Sequence, residues 1–313
     1  MTADPLPVIS CKGLTKSYGR RSALSGVDLA VAEGDVFGFL GPNGAGKTTT
    51  IRILLDLIRR DSGDVTLLGG DPRRDGVRLR RDIGYLPGEL SMTSRRPARE
   101  LLSFLAHLRG GVDRRAIESL AERFALDLDR PVRGLSKGNK QKIGLVQAFM
   151  HRPRLLILDE PTSGLDPLLQ QEFLNLVREV REDGRTVFMS SHVLSEVQDV
   201  ADQAAIIRAG RIVALEDMDD LRERALRTVT MAFAEPVDAQ DFARLDCVRD
   251  ASVEGNTLTC TVEGSPDALV KEAATRTVLS LTSEEPDLEE LFFTHYNNGR
   301  GSAPQEEGSD AGA

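Results

Sequence analysis

Eight consecutive residues, Gly41-Pro42-Asn43-Gly44-Ala45-Gly46-Lys47-Thr48, follow the pattern Gly-x4-Gly-Lys-Ser/Thr. In that pattern successive backbone N–H groups cradle phosphates, the lysine offsets charge on the β- and γ-phosphates, and the hydroxyl ligates Mg²⁺. Lys47 and Thr48 take those two roles, and Thr49 extends the nucleotide-binding set into the helix start. The context agrees with the motif. "DVFGFL" before it reads as a buried strand, and "TTTIRILLDLIRR" after it places Ile51, Leu54, Leu55 and Ile58 on one face of a helix.

A second chemical element is "LLILDE", an apolar run that ends in Asp159 and Glu160. Two acids after a strand, taken alone, read as the cap of a following helix. Downstream of a phosphate loop they read as chemistry: Asp159 in the Mg²⁺ shell, and Glu160, one residue on, polarising an attacking water. His192, at the end of the strand-like "TVFMSSH", reaches the same sheet edge and supplies a further polar group near the γ-phosphate. A third element, "LSKGNKQKIG", puts Ser136 at a helix start and sets Lys137, Lys140 and Lys142 around it. By itself it reads as a solvated amphipathic helix with an ordinary N-cap.

The elements that must position these groups alternate. Strand-like "VISCKGLTKSY" and "SALSGVDLAV" form an antiparallel edge, residues from about 90 to 152 read as a helical insertion, and strands and helices then alternate through "LLILDE", "PLLQQEFLNLVREVRED" and "TVFMSSH". That order implies a parallel sheet covered on both faces, closed by a hairpin around Ala209-Gly210. Three domains follow: residues 1–220, a small α+β unit over 221–296 with a β-α-β-β-α-β-α pattern close to ferredoxin-like, and a disordered tail over 297–313. Forty Lys and Arg against 49 Asp and Glu give a net charge of −9, which argues against a nucleic-acid coat. The three cysteines, Cys11, Cys247 and Cys260, have no paired spacing and predict neither disulfides nor a metal site. With no leader-like start and no apolar run of membrane-spanning length, the expected location is cytoplasmic.

In this order and at these separations, "GPNGAGKTTT", "LSKGNKQK", "LLILDEPTSGLDP" and "SSH" resemble the nucleotide-binding subunit of an ATP-binding cassette (ABC) transporter, over about residues 8 to 220. The resemblance implies an α/β fold: a P-loop NTPase sheet with a RecA-like core, an antiparallel β edge and a helical insertion, here with a small C-terminal α+β domain. It implies that Tyr18 stacks on adenine and that Ser136 and Gly138 contact the γ-phosphate of ATP held by a second copy of the chain. Lys137, Asn139 and Asp166 then belong to the same cross-subunit set, with Lys140 and Lys142 facing solvent. The single cassette and its extension, ending "PDLEELFFTHY", look most like bacterial daunorubicin-resistance type exporters. Those use two identical ATPase chains on two copies of a separate permease, which places this chain at the inner face of the membrane. Two departures stand out. Gly88, with Glu89 beside it, occupies the position of the usual glutamine, and Lys137 and Asn139 replace the commoner glycine and glutamine. Two alternatives have different discriminators: a soluble ABC ATPase acting on nucleic acid or ribosomes, opposed by charge and by the single cassette, and a non-hydrolysing regulator, which rests on Gly88.

Overall fold

The computed structural model describes residues 7–224 and 226–284. Contacts divide the chain after Met218. The first unit begins with β1 (Ile9–Tyr18), β2 (Arg21–Val31), β3 (Val36–Leu40), α1 (Lys47–Leu54), β4 (Ser62–Leu67), α2 (Gly76–Leu79) and β5 (Ile83–Leu86). The helical stretch α3 (Ala98–Leu108), α4 (Arg114–Arg123) and α5 (Lys137–Phe149) comes next. It is followed by β6 (Leu155–Asp159), α6 (Pro167–Glu182), β7 (Thr186–Ser191), α7 (Leu194–Gln198), β8 (Gln203–Arg208) and β9 (Arg211–Asp217). A short helix, α8 (Met218–Arg224), starts at the division.

The main sheet runs β5-β6-β7-β3-β8-β9, parallel except for the β8–β9 hairpin. β3, β6 and β7 are buried at every position, the pattern of strands covered on both faces. A second sheet, β2-β1-β4, is antiparallel, and α1 packs between the two: Ile51 and Leu54 share one core with Phe37, Phe39, Val27 and Val65. The Phe37 and Phe188 rings stack at 5.8 Å. Each such fully buried ring contributes on the order of 1.5–3 kcal/mol relative to exposure.

Helix α1 is shorter than its apolar periodicity predicts. Asp56 adopts φ +55°, its N–H donates to the Ile53 carbonyl, and the Leu57 N–H donates to the Arg52 carbonyl. These two bonds are a Schellman stop with aspartate where glycine is usual, so the helix ends before Ile58, which packs against the core from the following loop. Lys140 and Lys142 also differ from expectation. Both are half-buried, and the Lys142 ammonium reaches the Ala125 carbonyl at 3.4 Å.

Two arginines fasten the helical stretch to the sheet unit. Arg123 donates to Glu172 at 2.5 Å and to both oxygens of Glu179 at 2.7 and 2.8 Å. Arg109 donates to the carbonyls of Arg80 and Ile83, both at 3.2 Å, and lies 2.7 Å from His151 Nε2. Burial, and then the Arg109 charge, bring the His151 pKa down to about 4, so Nε2 of the neutral imidazole accepts a hydrogen bond from the Arg109 guanidinium.

The second unit holds β10 (Leu226–Phe233), α9 (Ala239–Ala243), β11 (Val248–Glu254), β12 (Thr257–Glu263), α10 (Asp267–Ala273) and β13 (Val278–Glu284). Its antiparallel sheet runs β11-β12-β10-β13. Val229, Met231, Phe233, Leu258, Cys260 and Val262 meet Phe242 and Leu269 of the helices in a separate core. The helix expected over "DLEELFFTHY" and the tail after it lie outside the described residues.

Candidate functional site

The phosphate-loop residues connect β3 to α1. Two of the glycines are required by close approach. A Cβ on Gly41 would lie 2.3 Å from the Ile207 carbonyl oxygen, and Gly46, at φ +121°, would drive one to 2.7 Å from Leu24. The loop is held from both sides: the Gly41 N–H donates to the Ser191 carbonyl and the Gly210 N–H to the Ala45 carbonyl. α1 begins at Lys47 with no acidic residue in its first turn, so its N-terminal partial positive charge and first N–H groups are left for an anion.

Lys47, 5 % exposed, donates to the Gly41 carbonyl and pairs with Glu160 Oε1 at 3.1 Å. Glu160 stands just past β6 at φ +51°, in the left-handed region. Its N–H donates to the Ser190 carbonyl and hydroxyl at 3.2 and 3.1 Å, and Gln141 of α5 donates to the carbonyls of Glu160 and Pro161 at 3.2 and 2.9 Å. These bonds hold a conformation that costs a non-glycine residue on the order of 1 kcal/mol or more. The turn separates two neighbouring carboxylates. Glu160 faces Lys47 and, through Oε2 at 2.6 Å, His192 Nδ1, just beyond the end of β7. Asp159 stays 1 % exposed; its Oδ1 accepts the Ser190 hydroxyl at 2.7 Å, and its Oδ2 is buried without a hydrogen-bond partner.

An open cleft of about 540 Å³ runs from Tyr18, 51 % exposed, past Pro42, Asn43 and Gly44 to Lys47, Thr48, Thr49 and Glu160. Gly41 and the buried Ala45 and Asp159 do not line it. Sequence reasoning missed Arg21, Ser22, Ala23, Ala209 and Gly210, which also line it. Ala209-Gly210 reads from sequence as a hairpin turn, but nothing in the sequence says which loop the turn supports. Arg21 was legible only through the hairpin register that pairs it with Tyr18.

The other predicted set forms a second cluster in the same chain, and none of it lines the cleft. Ser136 caps α5 and accepts from the N–H and the side-chain amide of Asn139 at 3.3 and 3.2 Å. Lys137 donates to the Ser163 hydroxyl at 2.8 Å, and a Cβ on Gly138 would lie 2.4 Å from the Gly164 carbonyl oxygen. Asp166 caps α6 through the Leu169 N–H at 3.1 Å.

Residues 24–163 match the model of the ABC transporter family. The chain is 37% identical over 220 residues to the bacitracin transport ATP-binding protein of Bacillus licheniformis, covering 69% of this chain and 72% of that one. The chain belongs to the ABC transporter family.

Within it, this cassette is 38% identical over 219 residues to a daunorubicin resistance ATP-binding protein of Streptomyces coeruleorubidus, covering 68% of this chain and 69% of the relative. With the linearmycin resistance ATP-binding protein of Bacillus subtilis (strain 168) it shares 31% identity over 306 residues, 91% of this chain and 97% of that one, so that likeness extends into the second unit. Among solved structures, an ATP-binding subunit of an ABC transporter superposes with a TM-score of 0.63 at 30% identity, covering 69% of this chain and 92% of that chain. A dimeric cassette in a post-hydrolysis state with ADP and phosphate shares the fold, with a TM-score of 0.62 at 22% identity, covering 67% of this chain and 98% of that one. The chain is thus an ABC-type ATPase subunit, homologous to ATP-binding proteins named for bacitracin transport and daunorubicin resistance, and its P-loop NTPase fold is as the sequence implied. Among the described residues no helix is long and apolar enough to cross a membrane.

The Gly88 departure has a spatial meaning in this ABC subunit. A Cβ at that position would stand 3.2 Å from Asp159 Oδ2, so Gly88 lies directly beside that carboxylate. Burial, and then the Asp159 charge, raise the pKa of the nearby Tyr85 phenol.

Proposed function

We propose that this chain is the ATP-hydrolysing subunit of an exporter of a small molecule, a drug or antibiotic. Two copies would close on ATP and drive a separate membrane permease, which would hold them at the inner face of the membrane. The names of its bacitracin, daunorubicin and linearmycin relatives support the export direction. The observation that carries the hydrolytic role is Glu160, a lining residue of the cleft held between Lys47 at 3.1 Å and His192 at 2.6 Å.

In this reading Tyr18 stacks on the adenine ring, and the N–H groups from Pro42–Thr49 that face the cleft receive the phosphates, together with the Thr48 and Thr49 hydroxyls. Lys47 offsets phosphate charge, and Glu160 takes the proton of the attacking water. His192 donates from Nδ1 to Glu160, which fixes the carboxylate's rotation and leaves the other ring nitrogen for the γ-phosphate side. Asp159 Oδ2, buried and unpartnered, together with the Thr48 hydroxyl, is an all-oxygen donor set that fits Mg²⁺. Bound there, Mg²⁺ would neutralise charge on the β- and γ-phosphate oxygens. Ser136, Lys137, Gly138, Asn139 and Asp166 act on the ATP of the second copy, which accounts for their standing outside their own chain's cleft. The domain roles follow: residues 1–220 carry the cassette, with its helical part over about 90–152, and the unit over 221–296 is a structural appendage.

Glu160→Gln tests the mechanism. Hydrolysis should fall by about 10²–10⁴-fold, the span for loss of a general base, while ATP binding persists and ATP-bound dimers accumulate on light scattering. Hydrolysis at the parent rate would sink the assignment. Export is tested by drug accumulation in cells expressing the chain with its permease.

A further inference from the structure

The cleft's formal charge does not suit a triphosphate if only the residues of the phosphate loop and the acidic strand are counted. Lys47 is neutralised by Glu160, the one carboxylate in the lining. The only other cation there is Arg21. Tyr18 and Arg21 are direct cross-strand partners around the two-residue turn Gly19-Arg20, with Gly19 at φ +59°. Directly opposed residues of a hairpin hold their Cβ atoms about 4.5–5.5 Å apart, so the guanidinium starts beside the aromatic ring. It then reaches over the phosphate loop: Arg21 Nη2 lies 3.7 Å from the point where a Cβ on Gly44 would stand. Arg21 is exposed, and its guanidinium has no hydrogen-bond or ion-pair partner among the described residues.

We infer that Arg21 is a second phosphate-binding cation, closing over the nucleotide's phosphate chain between Tyr18 and Gly44. The inference rests on the reading of this cleft as the nucleotide site. The span between a base-stacking ring and the loop's outer edge is where the phosphate chain must lie. A guanidinium there forms charge-assisted hydrogen bonds with phosphate oxygens, and the cleft gains the net positive charge that the Lys47–Glu160 pair does not supply.

The test is displacement of a fluorescent ATP analogue from the full chain by ATP, ADP and adenosine. Arg21→Ala should weaken ATP and ADP by about tenfold, as expected for one charge-assisted hydrogen bond at an exposed position. Adenosine affinity and the melting temperature should not move, and Arg21→Lys should recover part of the loss. Unchanged ATP and ADP affinity in Arg21→Ala, with normal binding by the parent, overturns the role of Arg21 alone. Equal weakening of adenosine also overturns it, because the contact is then with the base or the effect is a general disturbance of the hairpin. A parent chain that binds no nucleotide overturns the cleft assignment and this inference together.

Discussion

Strands β3, β6 and β7 of the first unit are buried at every position, whereas β10 and β12 of the second alternate. In the second unit Val229, Met231, Leu258 and Cys260 face the helices, while Thr228, Thr230, Thr257, Thr259 and Thr261 spread over the opposite face, half-buried. A strand covered on both faces has nowhere to keep polar side chains except where it ends. Gly41, Asp159 with Glu160, and His192 therefore gather at one edge of the first sheet, each immediately after or at the last residue of a strand. Alternation keeps polar groups apart in the second unit, and convergence is what chemistry requires.

Four measurements can break or sharpen this contrast. The largest expected effect lies in the second unit. Phe242→Ala empties a fully buried ring position packed 5.8 Å from Phe233 and should cost about 3–5 kcal/mol of that unit's stability, read by denaturant unfolding. ATP affinity should stay within about twofold, well below the tenfold that 1.4 kcal/mol represents; a larger change would tie the second unit to nucleotide binding. Next is Ser136→Arg, which should leave ATP binding to the monomer intact and cut hydrolysis by about 10²–10³-fold, the cost of losing a group that stabilises developing charge. Parallel loss of both would remove the cross-subunit assignment. Lys47→Ala should weaken ATP by about 100-fold, the effect of removing a buried charged donor. An unaltered dissociation constant would mean that the sheet edge is not the phosphate site.

The smallest effect is a pH dependence. His151 has its pKa lowered from 6.5 to about 4 in the folded chain, so the unfolded chain binds a proton more readily. Its contribution to stability is complete above pH 6.5 and declines as pH falls towards 4. Melting temperatures at pH 7.5 and 5 should differ more in the parent than in His151→Asn. Equal differences would mean that His151 protonates freely in the fold.

The phosphate loop was legible because its chemistry demands contiguous residues of fixed type, and the paired acids because a wholly apolar run must end somewhere. What the sequence concealed depends on long-range placement. Ser190 supports Asp159 from 31 residues away, Gln141 holds the turn at Glu160 from 19 away, and Arg21 enters the cleft through strand register. The early stop of α1 was hidden for a different reason. Asp56 takes a left-handed conformation that its residue type does not advertise, so apolar periodicity ran on past the true end. Strands β4 and β5 escaped notice because they are short and lie between Gly- and Arg-rich loops.

Ser136 and Glu160 sit in one chain, yet only Glu160 borders that chain's own cleft. Under the two-copy proposal this has a genetic consequence. Chains carrying Ser136→Arg and chains carrying Glu160→Gln should each be inactive alone but complement when mixed. In a mixed pair both lesions fall on the same ATP site, and the other site is wild type throughout.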